Sequence, residues 1–254
     1  MADFLRLKQI CLVAPDIEPA ASDIASVMGL DICFRDPAVG AYGLENVLYP
    51  VDTTLLEVVA PTRPGTAAGR FLDKIQGHGG YMVIFTASDV ERRREHATTI
   101  GVRVAHTIEK PTFYGIQLHP ADCRAAFVDF NRTKDSDGIL GPYTVAGPNW
   151  QRHIRKDTTQ ALVGLEVESP DPAGLAAHWA KIIEVPVGKN ANGDPELTFV
   201  NCTFRFVKGP AEVLGGLVFK VNDIAKVKAA AAAKGYKVDG DSFHMCGVNF
   251  RLVA

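Results

Sequence analysis

Glu57 is the side chain with the strongest claim to chemistry. It stands in Thr54-Leu55-Leu56-Glu57-Val58-Val59-Ala60-Pro61, where strand alternation puts its carboxylate on the face that carries Leu55 and Val59. A carboxylate among apolar side chains loses hydration, which raises its pKa towards the range useful for general acid-base work. Two roles are open to it. One is a base that takes a proton next to a carbonyl while a polar partner supports the developing oxyanion; the other is a structural Glu paired with an arginine or bonded to Tyr81. Arg70 closes Pro64-Gly65-Thr66-Ala67-Ala68-Gly69-Arg70. That stretch lacks the strand-to-helix context and the Lys of a nucleotide phosphate loop, yet its guanidinium offers two parallel donors to a carboxylate, a phosphate or a CoA-like tail on a substrate. His78, in Gln76-Gly77-His78-Gly79-Gly80, either swings over a site or is an exposed linker residue. His119-Pro120 ends a strand, where a turn role competes with a ligand role. Five cysteines, widely spaced and without a Cys-x-x-Cys pair, read as small core hydrophobes. No His, Lys or Arg stands at a spacing that lowers a thiol pKa.

The elements that position these residues recur four times. Each copy is an apolar strand, an Asp, an Ala-rich or amphipathic helix, and a turn residue that opens further strands. The four begin with Gln9-Ile10-Cys11-Leu12-Val13, Met82-Val83-Ile84-Phe85, Leu162-Val163-Gly164-Leu165-Glu166-Val167 and Gly216-Leu217-Val218-Phe219-Lys220-Val221. The Asps are Asp16, Asp89, Asp171 and Asp223, and the turn residues Gly29, Gly101, Glu184 and Gly235 follow each by 12 or 13 residues. The spacing predicts helix N-caps at the Asps and C-caps at the turn residues, a structural rather than a catalytic role. Later runs such as Phe127-Val128-Asp129-Phe130 and Phe204-Arg205-Phe206-Val207 alternate, and with Leu55 to Val59 they predict strands with two distinct faces. Arg92-Arg93-Arg94 reads as a solvated helix face.

These modules divide the chain into residues 1–135, a connecting segment 136–158 without periodicity, and residues 159–254. A connection that long packs on something, and Trp150 is expected to be buried. The 254 residues carry 27 Lys plus Arg against 29 Asp plus Glu. That balance offers no field for a phosphate backbone or an anionic membrane, so neither nucleic acid nor membrane is expected as a partner. The first residues lack a signal-peptide pattern and no apolar run approaches a membrane span, so a cytoplasmic protein is expected.

Paired strand-helix-strand-strand-strand modules with this signature resemble the vicinal oxygen chelate superfamily, the glyoxalase and bleomycin-resistance fold. Thr54 to Pro61 resembles the family's metal-ligand strand. Leu118-His119-Pro120-Ala121-Asp122 through Asp129 resembles the same part of methylmalonyl-CoA epimerase-like members. The resemblance implies an α+β fold of four βαβββ modules paired into two half-barrel domains, with a site in the first. Carried over position by position, it puts Gln9 and Glu57 together from the first module, and Met82 and Asp129 from the second. The second pair of modules has Leu162, Arg205, Gly216 and Arg251 there, and so no metal site. The first pair departs from the family too, because Gln9 and Met82 stand where metal-binding members commonly carry His. Gln9, Glu57 and Asp129 then suit Mg²⁺ or Mn²⁺ better than zinc, or no metal at all. Tyr81, beside Met82, either aims at the mouth of the cleft or fills the core. The resemblance implies an isomerase or lyase that moves a proton next to a carbonyl, with Glu57 as base. The alternative it leaves is a metal-free protein that sequesters a small molecule. A small-molecule ligand or substrate and homodimerisation are further implications.

Overall fold

A computed structural model describes residues 3–254. Four βαβ-type modules follow one another. The first has β1 (Leu5–Val13), α1 (Ala20–Met28), β2 (Leu44–Val51) and β3 (Thr54–Pro61). Helix α2 (Ala67–Ile75) leads to the second, made of β4 (Gly79–Ala87), α3 (Val90–Thr99), β5 (Val104–Lys110), β6 (Phe113–Leu118), the short α4 (Pro120–Cys123) and β7 (Phe127–Thr133). The third has β8 (Thr159–Ser169), α5 (Pro172–Ile183), β9 (Gly188–Lys189), β10 (Pro195–Thr198) and β11 (Thr203–Lys208). The fourth has β12 (Val213–Val221), α6 (Ile224–Ala233), β13 (Val238–Asp239), β14 (Ser242–Met245) and β15 (Val248–Val253). The strands form a seven-stranded sheet in the order β2-β3-β1-β4-β7-β6-β5 and an eight-stranded sheet in the order β13-β14-β15-β12-β8-β11-β10-β9. This is the four-module α+β architecture expected from the repeat. In the first module the strand after the helix shrinks to a bridge between Phe34 and Leu48. No helix among the described residues is long and apolar enough to cross a membrane.

Three of the four Asps cap as expected. Asp89, Asp171 and Asp223 accept the backbone N–H of Arg92, Gly174 and Lys226 at 2.9, 3.0 and 2.9 Å. Asp16 does not. Helix α1 starts at Ala20 behind Pro19, which makes no side-chain cap, so Asp16 falls too early. Proline's fixed φ starts the helix there without a capping oxygen. Gly29 and Glu184 end α1 and α5 in the left-handed region, with φ of 63° and 61°.

The chain divides into two compact units. One contains Gln9–Tyr81, Val145–Val163 and Gly216–Ala254. In it β1 lies parallel to β3, pairing Gln9 with Leu55 and Cys11 with Glu57, and β2 lies antiparallel to β3, pairing Leu48 with Glu57 and Asn46 with Val59. Both faces of β3 are buried from Thr54 to Ala60, so the expected two-faced alternation fails there. A strand flanked by neighbours and covered on both sides reads as a continuous apolar run instead. Trp150 is buried, as expected. Tyr236 donates to Asp23 at 2.7 Å, holding α6 on α1.

The other unit contains Met82–Thr144 and Gly164–Gly215, with the start of the chain through Lys8. Here β4 lies parallel to β7, pairing Met82 with Phe127 and Ile84 with Asp129. Phe85 packs against Phe130, Phe199 and Phe204, with ring centroids 5.1–5.8 Å apart. Burying each such ring contributes roughly 1.5–3 kcal/mol. The arginine run is not simply solvated. Arg93 is buried, donating to Ile183 O at 2.9 Å and to Glu184 at 2.6 Å, because α3 packs where α5 leaves its last carbonyls without helical partners.

Candidate functional site

Register places the Glu57 cluster. On one side of β3, Cys11 of β1 is level with Glu57; on the other, Asn46 of β2 lies two residues along from Leu48, the residue level with Glu57. Gln9 Nε2 donates to Glu57 Oε2 at 2.6 Å, and Asn46 Nδ2 donates to Glu57 Oε1 at 2.6 Å. Asn46 is itself fixed, since its Oδ1 accepts the Asp36 backbone N–H at 2.8 Å. Glu57 therefore bonds to two amides. Burial pushes its carboxyl above the usual carboxylate range, and the hydrogen bonds from Asn46, Cys11 and Gln9 pull it part of the way back. The same carboxylate, after burial, drives the Cys11 thiol well up, which makes that cysteine a poor nucleophile.

Gln9 Oε1 is buried and has no hydrogen-bond partner. An ionised Glu57 needs donors, and the two amides supply them. A protonated Glu57 carries a donor of its own. Turning the Gln9 amide by half a revolution presents Oε1 to accept it, so the cradle can hold either protonation state.

Asp129 sits in the other unit. Asn131 Nδ2 donates to its Oδ1 at 2.9 Å and also reaches the Tyr143 hydroxyl at 3.3 Å. Tyr143 comes from the segment after β7, and the Lys8 ammonium lies 5.3 Å from its ring centre while donating to Ile139 O at 3.2 Å. Burial, with a smaller push from Arg6, lowers Lys8 to about 7. Sequence reasoning missed Lys8, Asn46, Asn131 and Tyr143. The signal available for the asparagines was a polar residue inside an apolar strand run.

Gln9 and Glu57 are thus brought into contact. Met82 is buried on β4. Tyr81 is buried and packs edge-on against Phe71 at 5.0 Å. Arg70 is exposed on α2 and donates to Gly65 O at 2.8 Å. His119 caps α4, its Nδ1 accepting the Ala121 N–H at 3.3 Å and lying 3.2 Å from Arg103 Nη2. His78 is exposed, but its backbone is not free. The hairpin turn at Gly247, with φ of 74°, presses on the His78 carbonyl, and a side chain there would also come within 2.7 Å of Gly79 N.

Each oxygen of Glu57 accepts one amide N–H group, from Gln9 and from Asn46. Among the described residues no group of three His, Cys, Asp or Glu is placed to hold a metal.

No protein-family model matches the chain. Among curated proteins it is 22% identical over 134 residues to the ethylmalonyl-CoA/methylmalonyl-CoA epimerase of Cereibacter sphaeroides, a match covering 50% of this chain and 97% of that one. Among solved structures it resembles a hypothetical protein from Staphylococcus aureus, with TM-score 0.67 and 14% identity over 98% of this chain and 99% of that one. It also resembles a Mn(II)-bound glyoxalase from Novosphingobium aromaticivorans, with TM-score 0.65 and 12% identity over 99% of this chain and 82% of that one.

Proposed function

The chain has the fold of the vicinal oxygen chelate superfamily, and on that premise we propose that it is a glyoxalase-like isomerase or lyase in which Glu57 moves a proton next to a carbonyl. The observation that carries this reading is the buried Glu57 carboxyl held by two amides, with its proton affinity raised. In the proposed step the C–H bond next to the carbonyl breaks, the proton goes to Glu57, and the electron pair moves to the carbonyl oxygen. The Gln9 amide then turns to accept the new O–H, and its freed N–H group donates to the enolate oxygen. Reprotonation of the same or the adjacent carbon by Glu57 completes an isomerisation, and loss of a neighbouring group makes it a lyase.

The proposed step needs no metal; Gln9, Glu57 and Asp129 are proposed as the residues for Mg²⁺ or Mn²⁺ in a metal-assisted form of it. Met82, Asp129, Tyr81, His78, His119 and Arg70 are proposed as substrate-binding residues. The repeat supports a division into domains 1–135 and 159–254 joined by 136–158. The protein is further proposed to be a cytoplasmic homodimer acting on a small molecule, without a nucleic-acid or membrane partner. Light scattering on the purified chain tests the dimer.

The test of the reaction uses compounds of the kind named for the epimerase relative, methylmalonyl-CoA and ethylmalonyl-CoA, in deuterated water. Wild type is expected to wash deuterium into the 2-position, and Glu57→Gln to lose that exchange while keeping affinity. One observation favours a second reading, metal-free sequestration: both Glu57 oxygens are satisfied without any ligand. Binding without exchange in wild type, changed only in affinity by Glu57→Gln, establishes that reading instead.

A further inference from the structure

We infer that residues 134–144 form a strap that closes over Asp129, with Tyr143 as a displaceable side chain standing where a ligand group would meet Asn131; the step rests on the proposed role of Asp129 in binding substrate. All its parts lie in the unit that contains Met82–Thr144 and the chain through Lys8. Alternation puts Asp129 and Asn131 on one face of β7. Both are buried, and so is Tyr143, whose hydroxyl accepts from Asn131 Nδ2 at 3.3 Å.

Polar contacts at separate points hold the strap, in place of a packed apolar face. Arg6 Nη1 donates to Asp137 O at 2.7 Å. Lys8 Nζ donates to Ile139 O at 3.2 Å and lies 5.3 Å from the centre of the Tyr143 ring, within cation–π range. Arg132 pairs with Asp137, and Thr144 N–H donates to Thr133 Oγ1 at 3.1 Å. From Lys134 to Thr144 only Ser136 and Tyr143 are buried, and Leu140 is 44% exposed. A segment that buries so little apolar surface opens at lower cost than the sheet beneath it.

The closed form also leaves a polar group unsatisfied. Asn131 Nδ2 donates to Asp129 Oδ1 at 2.9 Å, which fixes the amide, since turning it would set its oxygen against the carboxylate. Asn131 Oδ1 is then buried without a hydrogen-bond partner. That cost lasts while the strap is shut and is relieved when it lifts. Lifting Tyr143 uncovers this acceptor, the Nδ2 donor and the Asp129 carboxylate together. The set suits a ligand group that both accepts and donates a hydrogen bond, as a hydroxyl does. Tyr143 is thus an autoinhibitory contact built into the chain.

Carbodiimide labelling of the full chain with glycine ethyl ester, read at Asp129 by peptide mass spectrometry against the exposed Asp135, measures the opening. Hydrogen exchange at the Thr144 N–H measures the same event. In wild type, Thr144 exchange should depend little on urea below the unfolding transition, while the amides of β7 follow global unfolding. Tyr143→Ala should speed Asp129 labelling at least tenfold. Lys8→Met keeps the ring but removes the anchor on Ile139 O, and should speed it at least threefold. Lys134→Gln, at an exposed strap position, should change it less than twofold. Retained protection of the β7 amides excludes unfolding in each variant, and if Tyr143→Ala loses it, Lys8→Met and Arg6→Gln decide the matter. Thr144 exchange that requires global unfolding, unchanged labelling in the folded anchor variants, or an equal rise in Lys134→Gln would each overturn the strap. Deuterium exchange into a substrate is a separate readout, so a strap that opens as described, with no such exchange in wild type, counts against the Glu57 reading alone.

Discussion

Glu57 and Asp129 occupy the same place in successive modules, each level with the same position of its parallel neighbour, Cys11 in one case and Ile84 in the other. Their surroundings differ because their lengths do. The longer Glu reaches sideways, taking one amide from Gln9 on β1 and one from Asn46 on β2. The shorter Asp takes an amide from its own strand, two residues on, at Asn131. At the position of Gln9 the second module has Met82, which has no N–H to donate. One methylene and one amide thus accompany the difference between a carboxyl cradled by neighbouring strands on both sides and one that takes an amide from its own strand. Repetition copied the backbone and left the side chains to diverge.

The comparison breaks most visibly in the reaction. Glu57→Gln is expected to lower deuterium exchange by about 100-fold or more, as removal of a general acid-base group does, while Asp129→Asn costs under about tenfold. A reversed order would move the chemistry to Asp129. Next in size is stability. Glu57→Ala strands two buried amides, at about 1–3 kcal/mol each, so urea unfolding should show a loss of roughly 2–6 kcal/mol. Glu57→Gln should lose less, since a turned Gln9 amide can meet the new side chain.

The third test is pH. The folded protein binds the Glu57 proton more tightly than the unfolded chain does, because burial raises this carboxyl from its ordinary 4.5. That contribution to stability is complete below pH 4.5 and is lost as pH rises through the raised folded value. Glu57→Gln should flatten the decline, and an unchanged slope would place its cause elsewhere. Smallest of all, Asn131→Ala should cost about 1 kcal/mol, since it removes a donor to Asp129 along with a buried Oδ1 that has no partner.

Much of this was legible in the sequence. The Asp-to-turn spacing gave the modules and three of four helix caps, and the apolar neighbours of Glu57 gave its burial. Asn46 was not found, because its contact depends on the register of β2 against β3. That register follows from the two-residue turn at Asp52-Thr53, with Asp52 at φ of 56° and Val51 paired with Thr54. Reading that turn as a tight hairpin brings Leu48 level with Glu57 and Asn46 onto the same face two residues along. Arg93 was misread for a different reason. The carbonyl that holds it belongs to a residue 90 positions away, and local charge patterning carries no information at that separation. Lys8 and Tyr143 likewise meet only through a segment without periodicity.

The most direct test of the Glu57 cradle is a pH titration of its side-chain carboxyl carbon by nuclear magnetic resonance, in wild type and in Asn46→Ala. The midpoint is predicted to lie above the ordinary 4.5, and to rise further when the Asn46 donor is removed. A midpoint at or below 4.5, or one that Asn46→Ala leaves in place, would contradict a carboxyl raised by burial and pulled part of the way back by its amides.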